Sequence, residues 1–348
     1  MRFLVTGGAG FIGSNLVRLL VARGHSVLNV DKLTYAGNLS SLADLPVGAQ
    51  HELLKLDICD GVGLQTALSR FRPDGIFHLA AESHVDRSID GPGDFIHTNV
   101  LGTYTLLQAA RSYFESVSPH DRSHFRFVHC STDEVYGSLD VGGATEVTRY
   151  LPNSPYSASK AAADHLVRAW GQTYGLPVLV TNCSNVYGPW QFPEKLIPLV
   201  ILKAIGNQAI PVYGDGKNVR DWIYVEDHVA ALLTVLEKGV VGESYNIGAH
   251  NERRNIDLVQ LLCRTLDQLQ PRTDGKSYAD LITLVGDRAG HDRRYSIDAT
   301  KLHRDLGWRA CQDFESGLRR TVQWYLDHRP WWQAILDGTY QLERLGKL

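Results

Sequence analysis

The strongest constraint on the fold is the run Gly7-Gly8-Ala9-Gly10-Phe11-Ile12-Gly13, which follows the apolar β-type segment Phe3 to Val5 and opens an amphipathic stretch carrying Leu16, Leu19 and Leu20. It satisfies G-x-G-x-x-G from Gly8 and G-x-x-G-x-x-G from Gly7. Alone the pattern is weak, but between a strand and a helix it lets the backbone approach a pyrophosphate, whose charge then sits at the helix N-terminus. Further β-type runs at Val27 to Val30, Leu53 to Leu56, Ile76 to Leu79, Phe125 to Cys130 and Val178 to Thr181 alternate with helix-length segments. That alternation predicts an α/β fold with a Rossmann-type doubly wound parallel sheet. Such sheets bind ligands beyond the carboxyl ends of their strands. Asp31, Asp57, Ala80 to Asp86, Ser131 to Tyr136 and Asn182 to Gly188 all fall there, so the motifs converge on one crevice.

After Gly188 the chain changes to Pro, Gly and aromatic punctuation, which predicts a smaller lobe closing over the crevice. Tyr224 to His228, an Ala/Leu-rich helix and Ser244 to Gly248 look like a return to the large domain. The expected division is residues 1–185, with a return at 219–247, for the cofactor, and 186–218 with 248–348 for the substrate. A chain of 348 residues, 44% hydrophobic and 21% charged, has material for such a two-lobed enzyme. A net charge of -3 and the lack of a long basic run argue against nucleic acid and anionic membranes as partners. The five scattered cysteines form no C-x-x-C and the short apolar start is unlike a signal peptide, so the expected home is a reducing cytoplasm. The fourteen histidines show no H-E-x-x-H or comparable spacing, and no metal is expected from it.

Asp31 ends the second β-run where the adenosine ribose hydroxyls of a dinucleotide are expected; a carboxylate accepts from them and repels a 2′-phosphate, which favours NAD over NADP even with Lys32 beside it. Asp57-Ile58 stands where an adenine contact would be, although a strand-end Asp is more often a helix cap. Leu79-Ala80-Ala81 offers small residues beside the cofactor, while Glu82, Ser83 and His84 extend toward the substrate. Tyr156 and Lys160, four apart on a helix, share a face, so the ammonium can favour the phenolate and make Tyr156 a base. Thr132 supplies a nearby hydroxyl. A dehydrogenase needs no more, and the adjacent Asp133-Glu134 therefore points to a second reaction with its own acid and base.

With these motifs, the chain resembles the extended short-chain dehydrogenase/reductases and, within them, the dTDP-glucose 4,6-dehydratases. The resemblance runs over nearly the whole length and is carried by Asp31-Lys32-Leu33-Thr34-Tyr35-Ala36-Gly37-Asn38, Ala81-Glu82-Ser83-His84-Val85-Asp86-Arg87-Ser88, Ser131 to Gly137, Phe192-Pro193-Glu194-Lys195-Leu196-Ile197-Pro198 and Gly290-His291-Asp292-Arg293-Arg294-Tyr295. It departs at Val186, where the family commonly has a second Asn, and at Ala289, which replaces a frequent Pro. A backbone contact at Val186 would survive; a side-chain contact would not. The resemblance implies that Leu33, Thr34, Thr98 and Val186 complete the cofactor set. It also implies that Asn185, Arg220, Asn255 and Arg288 hold a sugar-nucleotide diphosphate, a role for which two arginines are suited without a metal. Glu194, Lys195, Leu196, Pro211, Val212 and Tyr213 would line the nucleoside pocket, with His84, His291 and Tyr295 also on the substrate side.

The implied reaction oxidises carbon 4 of the glucosyl ring with Tyr156 as base, Thr132 on the developing carbonyl and NAD as oxidant. Glu134 then takes the carbon-5 proton, protonated Asp133 serves the departing 6-hydroxyl, and the cofactor is regenerated. A nucleotide-sugar 4-epimerase would need Tyr156 and Lys160 but has no use for Asp133-Glu134; a non-catalytic NAD-binding sensor or scaffold needs neither pair. The motifs leave thymine and uracil both open. By resemblance the chain is expected to be a homodimer, pairing through helices near 99–113 and 156–174.

Overall fold

The apolar runs form β1 (Arg2–Thr6), β2 (Ser26–Asp31), β3 (His51–Lys55), β4 (Gly75–His78), β5 (Arg126–Thr132) and β6 (Val178–Cys183) in a computed structural model that describes residues 1–288, 290–338, 340 and 342. Ala289 lies outside the described residues. A later strand, β10 (Ser244–Ile247), completes a seven-stranded sheet in the order β10-β6-β5-β4-β1-β2-β3, with every pairing parallel. The runs are continuously apolar because helices cover both faces. Phe3, Val5, Phe77 and Val128 join one core with Leu16, Leu20, Leu232 and Leu236; Leu4, Leu28, Ile76 and Phe127 join the other with Leu64, Leu68, Leu106 and Leu107. Strand order reverses between β1 and β4, so the crevice opens at the carboxyl ends of those strands.

The remaining strands form two small sheets. β9 (Val219–Tyr224) lies between β7 (Asn185–Tyr187) and β11 (Glu252–Arg254), while β8 (Ile210–Tyr213) pairs with β12 (Ile282–Val285). Helices Leu196–Ile205, Asn255–Leu269 and Phe314–Asp327 pack with them in a separate core that includes Tyr187, Val212, Trp222, Leu262, Leu318 and Trp331. Within the return expected at 219–247, β9 belongs to the small sheet. Helix Val225–Lys238 and β10 pack on or join the large one, and Ile223 of β9 reaches the same core. Among the described residues no helix is long and apolar enough to cross a membrane.

Candidate active site

At the carboxyl end of β1 the glycine turn is fixed by close approach. Gly7 adopts φ +72°, and a Cβ there would lie 2.7 Å from Ala80 N; one on Gly13 would lie 2.1 Å from Gly7 O. The turn opens helix Phe11–Ala22 and is tied to β2 through Asp31, which accepts from Ala9 N at 3.0 Å and Leu33 N at 2.8 Å. Burial raises the Asp31 carboxyl above its ordinary range, against those hydrogen bonds. These backbones line a cavity of about 340 Å³. Gly7, Gly10, Phe11, Ile12, Gly13, Asp31, Lys32 and Thr34 contribute one wall, and Ile58, Leu79, Ala80, Ala81, Ser83, Thr98 and Val186 extend it. A long, glycine-floored cleft with one carboxylate at its far end fits a dinucleotide. Leu33 and Asp57 are not in the lining: Leu33 meets Asp31 through its backbone, while Asp57 accepts from Cys59 N at 2.9 Å and faces Lys32 Nζ at 3.6 Å.

At the other end of the same cavity stand Thr132, Asp133, Glu134, Tyr156 and Lys160. β5 ends in a single 3₁₀ turn, Asp133–Tyr136, capped by Thr132, whose hydroxyl accepts from Glu134 N at 3.2 Å and donates to Asp133 Oδ1 at 3.3 Å. That cap fixes two neighbouring carboxyls in different surroundings. Asp133 is buried with Oδ2 unpartnered; burial, then the charges of Glu134 and Asp221, hold its carboxyl well above the usual carboxylate range. Glu134 is half-buried; burial raises it while Arg288, Arg220 and Lys195 pull it back.

Tyr156 and Lys160 sit in helix Pro155–Tyr174, started by the reciprocal Ser154/Ser157 cap with Pro155 in its first turn. Val85 and Phe95 pack on the Tyr156 ring. Burial and then the Glu134 charge hold its phenol well above 10, opposed by a hydrogen bond with Thr132. The ammonium of Lys160 is directed elsewhere than the sequence spacing implies: Nζ donates to the Cys130 carbonyl at 2.8 Å. Burial lowers its pKa, and Asp164 opposes that shift.

On the substrate side, Asn185, Glu194, Lys195 and Leu196 line the cavity. Asn185 Oδ1, Gln191 Oε1 and Trp222 Nε1 reach it buried and without partners, as groups awaiting a polar ligand would. The other expected residues stand outside the lining. His84 Nε2 lies 3.4 Å from Glu194 O, and Asn255 buries an unpartnered Oδ1. Arg288 pairs with Asp86 at 3.0 Å, leaving Nε unpartnered, and Tyr213 donates to the same carboxylate at 3.1 Å. Arg220 is buried over the Tyr295 ring and donates to the Val219 and Asp292 carbonyls. Tyr295 reaches Asp292 at 2.6 Å and Glu134 at 3.4 Å. His291 is held by Asp287 at 2.6 Å, Pro211 is half-buried, and Val212 is a core side chain that can offer a ligand only its backbone.

Residues 4–321 match the family model described as GDP-mannose 4,6 dehydratase. Curated relatives include the dTDP-glucose 4,6-dehydratases of Xanthomonas campestris pv. campestris strain B100, 59% identical over 99% of this chain and 98% of that protein, and of Neisseria meningitidis serogroup B, 56% identical over 99% of both. This chain belongs to the dTDP-glucose 4,6-dehydratase family. A solved member, DesIV from Streptomyces venezuelae with NAD and TYD bound, is 46% identical with a TM-score of 0.87, covering 96% of this chain and 100% of that one. The UDP-glucose 4-epimerase of Thermotoga maritima, solved with UDP-glucose, shares the fold at 30% identity and TM-score 0.82, over 94% of this chain and 99% of that one.

For a dehydratase of this family, several supporting residues escaped sequence reasoning. Arg87 lies over the Tyr35 ring and pairs with Glu194 at 3.0 Å. Asn99, in the π-helical segment Ile96–Gly102, clamps both backbone groups of Glu82 and donates to Ser159 at 2.8 Å, so it links the loop after β4 to the Tyr156 helix. Asp164, one turn beyond Lys160, is fully buried and accepts from Ser131 at 2.8 Å and Tyr150 at 2.9 Å, with Asn182 at 3.3 Å and His129 at 3.1 Å. Burial would raise its carboxyl, but His129 and the other partners hold it below the ordinary value. A depressed folded pKa gives stability that is present above the unfolded value near 3.9 and lost as pH falls through the folded one. Asp164→Asn is therefore expected to destabilise the fold by about 3 kcal/mol near neutral pH. The gap to the parent should narrow on acidification; denaturant melts at several pH values measure it, and an unchanged gap would contradict the charged reading.

Proposed function

We propose that this protein is a dTDP-glucose 4,6-dehydratase that converts dTDP-glucose to dTDP-4-keto-6-deoxyglucose, an NAD-dependent hydro-lyase of deoxysugar biosynthesis. The observation that carries the reading is the placing of two adjacent carboxyls, Asp133 and Glu134, at the cavity end that also holds Tyr156. NAD, when bound, takes a hydride from carbon 4 of the glucosyl ring and returns it to carbon 6. Gly7, Gly10, Gly13 and Asp31 hold it along the glycine-floored wall. Tyr156, whose buried phenol must first ionise, accepts the 4-hydroxyl proton, and Thr132 hydrogen-bonds the carbonyl that develops there. Lys160 keeps positive charge beneath this end of the cavity from its seat on the Cys130 carbonyl. Glu134 removes the carbon-5 proton, now acidified by the neighbouring ketone, and later returns it. Asp133 gives its proton to the departing 6-hydroxyl. An epimerase has no task for that second acid and base. Mass spectrometry of the product from dTDP-glucose tests the reading; an unaltered mass with inverted carbon 4 would replace it with the epimerase.

In this reading residues 1–185 with the later return bind NAD, while 186–218 and 248–348 receive the sugar nucleotide. Asn185, Asn255, Arg220 and Arg288 hold the diphosphate. Arg288→Met should raise KM by roughly 10- to 100-fold, the effect of losing a charged hydrogen bond, with a smaller change in kcat. Unaltered dTDP-glucose affinity by calorimetry would remove Arg288 from the clamp. The protein acts as a cytoplasmic homodimer: Ile96, Leu101, Tyr104 and Tyr174 leave 52, 45, 41 and 41% of their surface exposed on or beside the two helices expected to pair. Light scattering at micromolar concentration tests the dimer.

A further inference from the structure

Behind the acid and base groups, three side chains from three different elements converge: Cys130 on β5, Cys183 at the end of β6 and His228 in helix Val225–Lys238. Their ligand atoms lie within 4.8 Å of one another, and this is the one such trio of His, Cys, Asp or Glu among the described residues. Cys130 Sγ is 3.8 Å from His228 Nε2. Both sulfurs also face the Ser131 carbonyl oxygen, Cys183 at 3.2 Å and Cys130 at 3.9 Å. The imidazole is fully buried, and its Nδ1 has no partner.

Two thiols this close raise the question of a disulfide. The strand register argues against it. Cys130 is level with Thr181, and Cys183 with Thr132, so the two cysteines are diagonal neighbours on β5 and β6. With strands about 4.8 Å apart and a rise of about 3.3 Å per residue, neighbours offset by two lie about 8 Å apart, beyond the roughly 4.4–6.8 Å between α-carbons that a disulfide spans. A metal ion bridges a wider gap. Zinc bonds of about 2.3 Å to sulfur and about 2.0–2.1 Å to nitrogen, at tetrahedral angles, separate sulfur from nitrogen by about 3.6 Å and sulfur from sulfur by about 3.8 Å. The observed sulfur-to-nitrogen distance is close to the first of these. Cys130 and Cys183 both line the cavity, so a fourth position on the ion would open toward it.

We propose that Cys130, Cys183 and His228 form a Cys₂His site for a thiophilic divalent cation of the zinc class, and that its occupation stops turnover. Binding forms two metal–thiolate bonds and one metal–imidazole bond, and the two thiol protons leave to solvent. The ion sits at the strand ends that carry Thr132, Asp133 and Glu134. One of its ligands, Cys130, is also the residue whose carbonyl holds Lys160. Metal chemistry of this kind takes no part in the dehydration; it would act as a block on it.

The site is tested on the full-length chain after chelator treatment, by titration with cobalt and cadmium to read thiolate-to-metal charge-transfer bands, and with zinc against a coloured chelator. One equivalent should bind with a two-thiolate band. Cys130→Val should weaken binding by about 100-fold or more and remove the band, with Cys183→Ser as the second variant should the first fail to fold. Cys59→Ser removes the thiol of the exposed pair Cys59 and His97, 3.5 Å apart, and should leave the titration unaltered. Absence of stoichiometric binding, an unaltered titration in Cys130→Val and Cys183→Ser, or loss of the band in Cys59→Ser would each overturn the site. Zinc should also halt conversion of dTDP-glucose and a chelator should restore it. Full turnover by zinc-loaded protein would overturn the block. That last arm rests on the proposed function, whereas the titration does not: metal-free protein that never converts dTDP-glucose refutes the dehydratase reading, and the spectra still decide the site.

Discussion

Glu134→Gln is expected to slow overall turnover by about 10²- to 10⁴-fold while leaving the first oxidation intact. Glutamine keeps the length and polarity of the side chain and removes its basicity. Its carboxylate faces the charges of Arg288, Arg220 and Lys195, and Tyr295 lies 3.4 Å from Oε2, so the amide still has partners and the fold should hold. The variant loses only the base proposed for the carbon-5 proton. On mixing with dTDP-glucose, reduced nicotinamide should therefore accumulate on the protein, seen by its absorbance, and solvent deuterium should enter carbon 5 slowly. Turnover at the parent rate would exclude Glu134 as the base. A folded, NAD-loaded variant that reduces no nicotinamide would mean that this carboxylate also serves the oxidation.

Tyr156→Phe should give the opposite signature, with no reduced nicotinamide at any time and a rate at least about 10²- to 10⁴-fold below the parent. The ring packs against Val85 and Phe95, and phenylalanine preserves those contacts, so melting temperature should barely move. What is lost is the hydroxyl proposed to take the 4-hydroxyl proton beside Thr132. If the variant forms reduced nicotinamide at the parent rate, another group is the base. The Glu134 side chain would be the first to examine, since its charge acts on the phenol. Comparing the two variants in single-turnover experiments separates oxidation from elimination more sharply than either rate alone.

The parts of the site that were legible in the sequence are those set by short-range geometry. A glycine turn between strand and helix, an Asp at the end of β2 and a hydroxyl followed by two carboxyls at the end of β5 are each positioned by a few neighbouring residues. The partners of these groups were not legible because they come from distant chain. Asp86 meets Arg288 across 202 positions, and Arg87 meets Glu194 across 107. Buried carboxylates such as Asp86 and Asp164 look in sequence like any solvated acid, since their burial depends on which helix covers which strand. The Tyr156 and Lys160 spacing implied an ammonium beside the phenol; both residues lie on helix Pro155–Tyr174, but a lysine is long enough for its head to bond the Cys130 carbonyl on β5 instead. The same limit explains the cysteine and histidine trio: residues at 130, 183 and 228 have no motif spacing, and only the packing of helix Val225–Lys238 against the β5 and β6 strands joins them.

The spatial order of the large sheet also sets a timetable for the chain as it is made. β6 is paired on one side by β5, which precedes it, and on the other by β10, which is translated some sixty residues later after β7, β8 and β9. All six β6 residues are buried in the finished fold. Until residue 247 has cleared the ribosome, that strand presents an open row of backbone donors and acceptors flanked by Val178, Leu179 and Val180, the kind of edge that recruits other chains. A nascent chain paused between residues 185 and 244 would hold a nearly complete nucleotide sheet with its most apolar strand at the rim. Stalling in that window, or a gene fragment ending at 185, should yield aggregates that a chaperone suppresses, whereas a fragment carried to 247 should stay in solution longer.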